Sequence, residues 1–149
     1  MKLLLIILTL ACAVLPSCRT NRWVEAPKAG AIRTFPNDRP FLLTEISDDP
    51  TYGYSQHNPI MVGGVTEGPK NERRFLLALT GPQGEKVSYH RVGSCCPFKS
   101  SNAPLGKGLL DMYEVSWEGS SESTMLYLNM YDAGPLKAPK GFGIVAAVD

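Results

Sequence analysis

The chain has 149 residues, of which 44% are hydrophobic and 19% are charged, and its formal net charge is +1. This length suits one compact domain and is below the roughly 200 residues that a (β/α)8 barrel needs. The near-neutral charge argues against a protein that binds nucleic acid through a basic surface, and the 14 glycines and 12 prolines favour a turn-rich globular domain.

The first segment of the chain is a short apolar run behind one positive charge. Lys2 precedes a run at positions 3–15 that is apolar except for Thr9. This pattern is typical of a secretory signal peptide, and the run is shorter than the roughly 20 residues of a transmembrane helix. We therefore predict that residues 1–17 are a signal peptide.

The apolar run ends at residues 15–18 (Leu-Pro-Ser-Cys), which resemble the lipobox of bacterial lipoproteins. In that pattern the cysteine thiol receives a diacylglycerol, the chain is cut before the cysteine, and its new amine is acylated, commonly with palmitate. The resemblance implies lipidation at Cys18, and several acyl chains would form a stable membrane anchor. Cys12 follows a poorer match to the pattern. A plain secretory signal with an incidental cysteine is the alternative.

Residues 19–22 (Arg-Thr-Asn-Arg) follow the predicted anchor and contain no acidic residue. By resemblance to known sorting patterns, this favours a lipoprotein of the cell outer membrane that faces the periplasm. Residues 18–40 lack apolar periodicity and are predicted to be the lipidated N-terminus and a tether. Residues 41–149 are predicted to form one globular domain.

The predicted domain contains one helix and five or six short strands. The helix is expected from about Pro69 to Leu79, with Phe75 and Leu76 on its apolar face and residues 71–74 (Asn-Glu-Arg-Arg) as a solvated charged face. The predicted strands are residues 41–46, 60–62, 86–92, 108–117, 124–131 and 142–148. One helix and five or six short strands predict an α+β domain with a mainly antiparallel sheet and the helix packed on one face.

The strand at residues 108–117 alternates regularly. Alternation places Leu109, Asp111, Tyr113, Val115 and Trp117 on one side of the sheet. No internal repeat is visible, and a domain of this size needs no metal ion or disulfide to fold.

Cys95 and Cys96 are the two cysteines that remain outside the signal peptide and lipobox. Thiols usually pair in an oxidising compartment, but adjacent residues of a strand point to opposite faces, so a disulfide between them requires a distorted backbone. Three interpretations stay open: a structural pair or buried thiols, a redox-active pair, and a metal site. The metal site has only His57 and His90 as further ligands, without metal-binding spacing.

Other candidate catalytic groups have weaker support. A Cys–His dyad would need His90 to meet one of the two cysteines in space. Ser94 lacks the G-x-S-x-G motif of hydrolases, and residues 105–108 (Leu-Gly-Lys-Gly) lack the spacing of a phosphate-binding loop. Arg73 and Arg74 could pair with an anionic partner. We therefore predict no catalytic residue, no metal site and no cofactor.

Several stretches resemble a set of small bacterial envelope lipoproteins of unknown activity. They lie at residues 52–60, 68–76, 93–98, 108–115 and 136–142. Some members of the set carry the label 2-dehydro-3-deoxyphosphooctonate aldolase. The enzyme of that name is a cytoplasmic (β/α)8 barrel, and none of its motifs occurs in this chain.

Taken together, the patterns predict a lipid-anchored periplasmic domain with a structural, binding or assembly role at the cell envelope. Its expected partners are the membrane, through the lipid anchor, and an envelope protein or glycan, but no nucleic acid. A thiol-redox protein or other enzyme that uses Cys95 and Cys96, and the labelled aldolase activity, are the alternatives.

Overall fold

The structure is a computed structural model that describes residues 38–64 and 66–146. The predicted signal peptide, Cys18 and most of the predicted tether lie outside the described residues. The described part contains no helix that is long and apolar enough to cross a membrane.

The described chain forms one helix, six strands and two sheets. In chain order the elements are β1 (Ile60–Met61), α1 (Gly68–Leu76), β2 (Leu79–Thr80), β3 (Val87–Lys99), a 3₁₀ turn (Pro104–Gly106), β4 (Lys107–Trp117), β5 (Thr124–Asn129) and β6 (Gly143–Ile144). The main sheet has the order β1-β5-β4-β3, and β2 pairs with β6 in a second, antiparallel sheet. The predicted α+β class with a mainly antiparallel sheet is confirmed; β1 and β5 form the one described parallel pair.

Helix α1 covers one face of the main sheet. Phe75 and Leu76 of the helix are fully buried, as are Val115 of β4 and Leu126 and Leu128 of β5. These residues belong to one continuous hydrophobic cluster. The packing follows from the i, i+1 apolar pair on the helix and the alternation of the strands, as the sequence predicts.

The helix is shorter than predicted. It ends at Leu76, with Leu77 as its C-cap, rather than at Leu79. Leu79 lies instead in β2, where it pairs with Ile144 of β6. Leu79, which the helical pattern assigned to the last turn of the helix, is therefore part of the second sheet.

The predicted first strand at residues 41–46 is not a strand. Its one described ladder contact is a bridge between Ile46 and Ala138, and the amide of Phe41 donates to the carbonyl of Arg74 at the end of α1. Leu43 is buried in the core. The segment thus covers the core as extended chain without a continuous partner strand.

Asp38 and Arg39, which precede this segment, also contact the helix. Asp38 forms an ion pair with Arg73 and accepts a 2.5 Å hydrogen bond from its Nε. The carbonyl of Arg39 accepts a 2.9 Å hydrogen bond from Nε of Arg74. The end of the segment predicted to be a tether is therefore fixed to the domain. The predicted last strand at residues 142–148 is described as far as residue 146 and forms only β6.

Strand β3 is 13 residues long and lies at the edge of the main sheet. Its pairing with β4 shifts register twice, between Arg91 and Gly93 and between Cys95 and Phe98. Bulges, a proline and a lysine on an edge strand oppose pairing with another chain, and β3 has Pro97 and Lys99 beside the second shift. The candidate residues of β3 thus lie on an irregular edge strand.

Candidate functional site

Cys95 and Cys96 form a disulfide inside the second irregularity of β3. Their Cα atoms are 3.7 Å apart, and the described residues contain no cis peptide bond. Cys96 instead has a φ of 56°, in the left-handed region that residues with a side chain rarely adopt. The backbone distortion that the sequence required for this pair therefore lies in the φ angle of Cys96.

Both cysteines are half-buried, and Cys95 lies opposite Leu110 of β4. The pair is thus on the sheet rather than in a loop. Pro97 and Lys99, which follow the pair on β3, are exposed.

Next to the disulfide, three side chains form a closed hydrogen-bonded group. Arg91 donates from Nε and Nη2 to the two carboxylate oxygens of Asp111, each at 2.7 Å. The hydroxyl of Ser94 donates to Oδ1 of Asp111 at 2.7 Å and accepts from Nη2 of Arg91. Ser94 and Asp111 are direct cross-strand neighbours, which explains the contact.

The group is buried on the Asp111 side and open on the Arg91 side. The Asp111 side chain is 4% exposed, whereas that of Arg91 is 46% exposed. Burial alone would raise the pKa of Asp111, but the hydrogen bonds from Arg91 and Ser94 hold that pKa below its usual value. Asp111 is therefore held as an ionised carboxylate by Arg91 and Ser94.

Glu72 is the unexpected member of this region. The sequence assigns it to a solvated helix face, but the structure places it on the buried face of α1, with 0% of its surface exposed. The prediction was wrong because Glu72 lies three and four positions before Phe75 and Leu76, which puts all three on the same face of the helix. Oε2 of Glu72 accepts a 2.9 Å hydrogen bond from the hydroxyl of Tyr113 on β4.

The environment of Glu72 disfavours its charged form. Burial is the largest cause, and the nearby charge of Asp111 is the second; together they raise the pKa of Glu72 to about 8. Burial and the same two carboxyl groups also raise the pKa of Tyr113. We call Glu72, Asp111, Tyr113, Arg91 and Ser94 the carboxyl cluster.

The structure does not bring together the Cys–His dyad that the sequence left open as a candidate. His90 lies opposite Glu114, and its Nε2 is 3.1 Å from Oε2 of that residue. It precedes Cys95 by five positions on the same strand, which is roughly 15 Å at strand spacing. His57 lies in a turn, where its ring contacts Gln56. The described residues contain no group of three metal-ligating side chains.

The remaining candidate groups have structural partners. Arg74 lies over the ring of Phe41, 4.0 Å from its centroid, and donates to Asn71 at 3.1 Å. Arg73 is paired with Asp38.

Residues 105–108 form the end of the 3₁₀ turn and the start of β4, and Leu105 there is fully exposed with a φ of 58°.

A groove of about 650 Å³ lies beside the N-terminal part of β3. Its apolar lining comes from the end of α1, from β2 and β3 and from Val145; Thr80, Lys86, Ser88 and Glu118 supply polar groups. Tyr89 also lines it, and the Tyr89 hydroxyl is buried without a hydrogen-bond partner among the described residues. The volume of this groove falls within the range of small-molecule sites.

Sequence reasoning missed Glu72 and the groove for different reasons. The spacing of Glu72 to Phe75 and Leu76 was available in the sequence, as was the inward position of Asp111 on its strand. The groove depends on how α1, β2, β3 and the chain after β6 meet, which no local pattern specifies. Comparisons of the chain with family models, curated proteins and solved structures find no match.

Proposed function

We propose that this protein is a lipid-anchored, periplasm-facing domain of the bacterial cell envelope with a non-catalytic binding or assembly role. The anchor part of the proposal depends on the lipobox-like residues 15–18. The binding part depends on one observation, the groove beside β3 with its apolar lining and polar groups.

The state of the polar residues supports a role without catalysis. The Ser94 hydroxyl donates a hydrogen bond to Asp111, whose lowered pKa makes it a weak base, and Arg91 already neutralises that carboxylate. A serine in this arrangement is not activated as a nucleophile. Glu72, the group with a pKa near the operating range of a general base, is fully buried away from the surface.

The anchor is tested by Cys18→Ala in the native host. We expect the wild-type chain in the outer-membrane fraction with a fatty-acid-labelled N-terminus, and the variant unlabelled and released from the membrane. Cys12→Ala is the matched control and should leave both labelling and fractionation unchanged. A Cys18→Ala chain that remains labelled and membrane-bound would overturn this part.

The binding role is tested by replacing single residues with a photo-crosslinking amino acid in living cells. Lys86 is an exposed residue of the groove, and Leu42, which is 73% exposed, lies outside it and serves as the control position. We expect one discrete protein or glycan adduct at Lys86 and none at Leu42. Equal patterns at both positions would contradict binding at the groove.

A second candidate function, thiol–disulfide exchange, is favoured by the Cys95–Cys96 disulfide itself. A thiolate of a dithiol partner would attack one sulfur and form a mixed disulfide, releasing the other cysteine as a thiol. The partner's second thiol would then close its own disulfide. The net reaction transfers two electrons and two protons from the partner dithiol to Cys95 and Cys96.

Thiol trapping in native membranes, followed by mass spectrometry, distinguishes the two functions. A redox role predicts that excess dithiothreitol opens the pair in the folded protein and that part of the pair is reduced in cells. A pair that stays closed under both conditions excludes this candidate. The Cys95→Ser/Cys96→Ser variant sets the unlabelled background.

The aldolase label is the remaining alternative. It implies a parallel (β/α)8 barrel, whereas the described main sheet is mostly antiparallel. We expect the purified protein to form no product from phosphoenolpyruvate and arabinose 5-phosphate. Product formation at enzymatic rates would overturn the non-catalytic proposal.

A further inference from the structure

The buried face of helix α1 brings one carboxyl group against another. Glu72 of α1 and Asp111 of β4 are 0% and 3% exposed, and the two side chains are within hydrogen-bonding reach of each other. Two ionised carboxylates that share a buried site repel strongly, so one of them holds a proton. The pair therefore carries one negative charge rather than two.

The neighbours of the two groups assign the proton to Glu72. Asp111 accepts three hydrogen bonds, two of them from the guanidinium of Arg91. Glu72 accepts only one described hydrogen bond, from the neutral hydroxyl of Tyr113. The charged form is therefore stabilised at Asp111 and not at Glu72.

An unpaired oxygen supports the same assignment. Oε1 of Glu72 is buried and accepts no hydrogen bond from a described residue. A buried polar atom without a partner is costly. If Oε1 carries a proton, it donates to the carboxylate of Asp111, and every oxygen of the pair then has a partner.

We propose that Glu72 and Asp111 share one proton at neutral pH, held on Glu72, and that this proton fastens helix α1 to the sheet, so that its loss loosens the helix. This inference goes beyond the proposed function and does not depend on the lipid anchor or the groove. The titratable or charged groups that act on Glu72 are Asp111 and Tyr113 from β4 and Arg91 from β3.

The sign of the pH effect is set by linkage between proton binding and folding. The pKa of Glu72 is raised from 4.5 to about 8 in the folded chain, so the folded state holds a proton that the unfolded state has lost between these values. The contribution of this proton to stability is therefore fully present below about pH 4.5 and decreases as the pH rises towards 8. The unfolding equilibrium constant is expected to rise by up to about tenfold per pH unit in this window.

The stability test compares the full-length protein in detergent with Glu72→Gln by urea denaturation between pH 5 and 8.5. Glutamine keeps an acceptor for Tyr113 and a donor for Asp111, so we expect the variant to lose this pH dependence and to exceed the wild type in stability at pH 8. Glu67→Gln, at an exposed ion pair with Lys70, is the matched control and should keep the wild-type slope. A wild-type stability that is flat from pH 5 to 8 would overturn the proposal.

A direct measurement covers the case in which Glu72→Gln does not fold. Infrared spectroscopy of the wild-type chain labelled with ¹³C at the glutamate carboxyl should show one protonated carboxyl at pH 7 that titrates on the alkaline side of neutrality. Full ionisation of all glutamates at pH 6 would refute the shared proton. Amide chemical shifts of α1 that follow the same titration would support the loosening of the helix, and unchanged shifts would contradict it.

Discussion

The hydroxyl of Tyr113 donates a 2.9 Å hydrogen bond to Glu72 across 41 positions of sequence and thereby joins β4 to α1 inside the core. The carboxyl cluster continues from this bond through Asp111 to Arg91 and Ser94, so the buried helix face is connected with the edge strand that carries the disulfide. Polar contacts of this kind specify the position of a helix more narrowly than apolar packing does, since each member requires its partner.

The first prediction concerns Tyr113→Phe. The substitution removes the donor and leaves Oε2 of buried Glu72 without a partner, so we expect the free energy of unfolding to fall by about 1–3 kcal/mol. Because this hydrogen bond lowers the pKa of Glu72, its loss should raise that pKa further. Urea denaturation measures the first effect and an infrared pH titration the second.

Tyr127→Phe is the control for this prediction. Tyr127 is a half-buried tyrosine of β5 and does not contact Glu72 through a described hydrogen bond. Equal destabilisation by the two substitutions would show that the Tyr113–Glu72 bond has no special role.

The second prediction concerns the ion pair between Arg91 and Asp111. Arg91→Met leaves Asp111 buried without its counter-ion. We expect the free energy of unfolding to fall by about 2 kcal/mol, which is less than for a fully buried pair because Arg91 is nearly half exposed. The pKa of Asp111 is lowered in the folded protein, so its contribution to stability is present above the unfolded value of 3.8 and lost as the pH falls through the folded pKa. The variant should therefore lose more stability at pH 7 than at pH 2.

Urea denaturation at the two pH values checks this. Lys107→Met, an exposed cation of β4, serves as the matched control and should change stability little at either pH. A loss in Arg91→Met that is the same at pH 2 and pH 7 would mean that the ionised state of Asp111 does not depend on Arg91.

The third prediction uses the left-handed backbone of Cys96. Without the disulfide, serine at position 96 must hold a φ of 56° unaided, whereas glycine adopts it without steric cost. We expect Cys95→Ser/Cys96→Gly to be more stable than Cys95→Ser/Cys96→Ser by about 1 kcal/mol. Thermal unfolding of the two variants measures the difference; equal stability would show that the bulge relaxes once the disulfide is absent.

Much of the fold could be predicted from local pattern. The alternation of β4 placed Leu109, Asp111, Tyr113, Val115 and Trp117 on one side of the sheet. Asp111, Tyr113 and Val115 are buried as that pattern suggests, whereas Leu109 is 44% exposed and Trp117 is half-buried. Pro69 and the pair Phe75 and Leu76 located the helix. These features succeed because burial on one face imposes a period of two on a strand and of 3.6 on a helix.

The errors occur where tertiary partners override local pattern. Leu79 fits the helical period but pairs with Ile144, a residue 65 positions later. The strand predicted at residues 41–46 has the required apolar residues but only one described bridge, at Ile46. Glu72 was assigned to solvent because of its charge, although its spacing placed it inside; protonation and the contact with Tyr113 allow a carboxyl group there.

The last prediction concerns the close packing around Gly108 at the hairpin end of β4. A Cβ atom at this position would lie 2.7 Å from Cζ of Phe98 and 2.8 Å from Cδ2 of Tyr131. These two rings are packed edge to face with centroids 6.0 Å apart, so neither can move without losing that contact. We expect Gly108→Ala to lower stability by about 1–3 kcal/mol in urea denaturation, as overpacking does.

Gly93→Ala provides the matched control on the neighbouring strand. A Cβ atom there meets nothing within 4 Å, and Gly93 lies outside the left-handed region. Because alanine restricts the unfolded chain more than glycine does, this substitution should be neutral or stabilising by up to about 1 kcal/mol. A Gly108→Ala variant as stable as Gly93→Ala would mean that the rings of Phe98 and Tyr131 can move aside without cost. The hairpin end of the sheet would then be less tightly packed than the distances indicate.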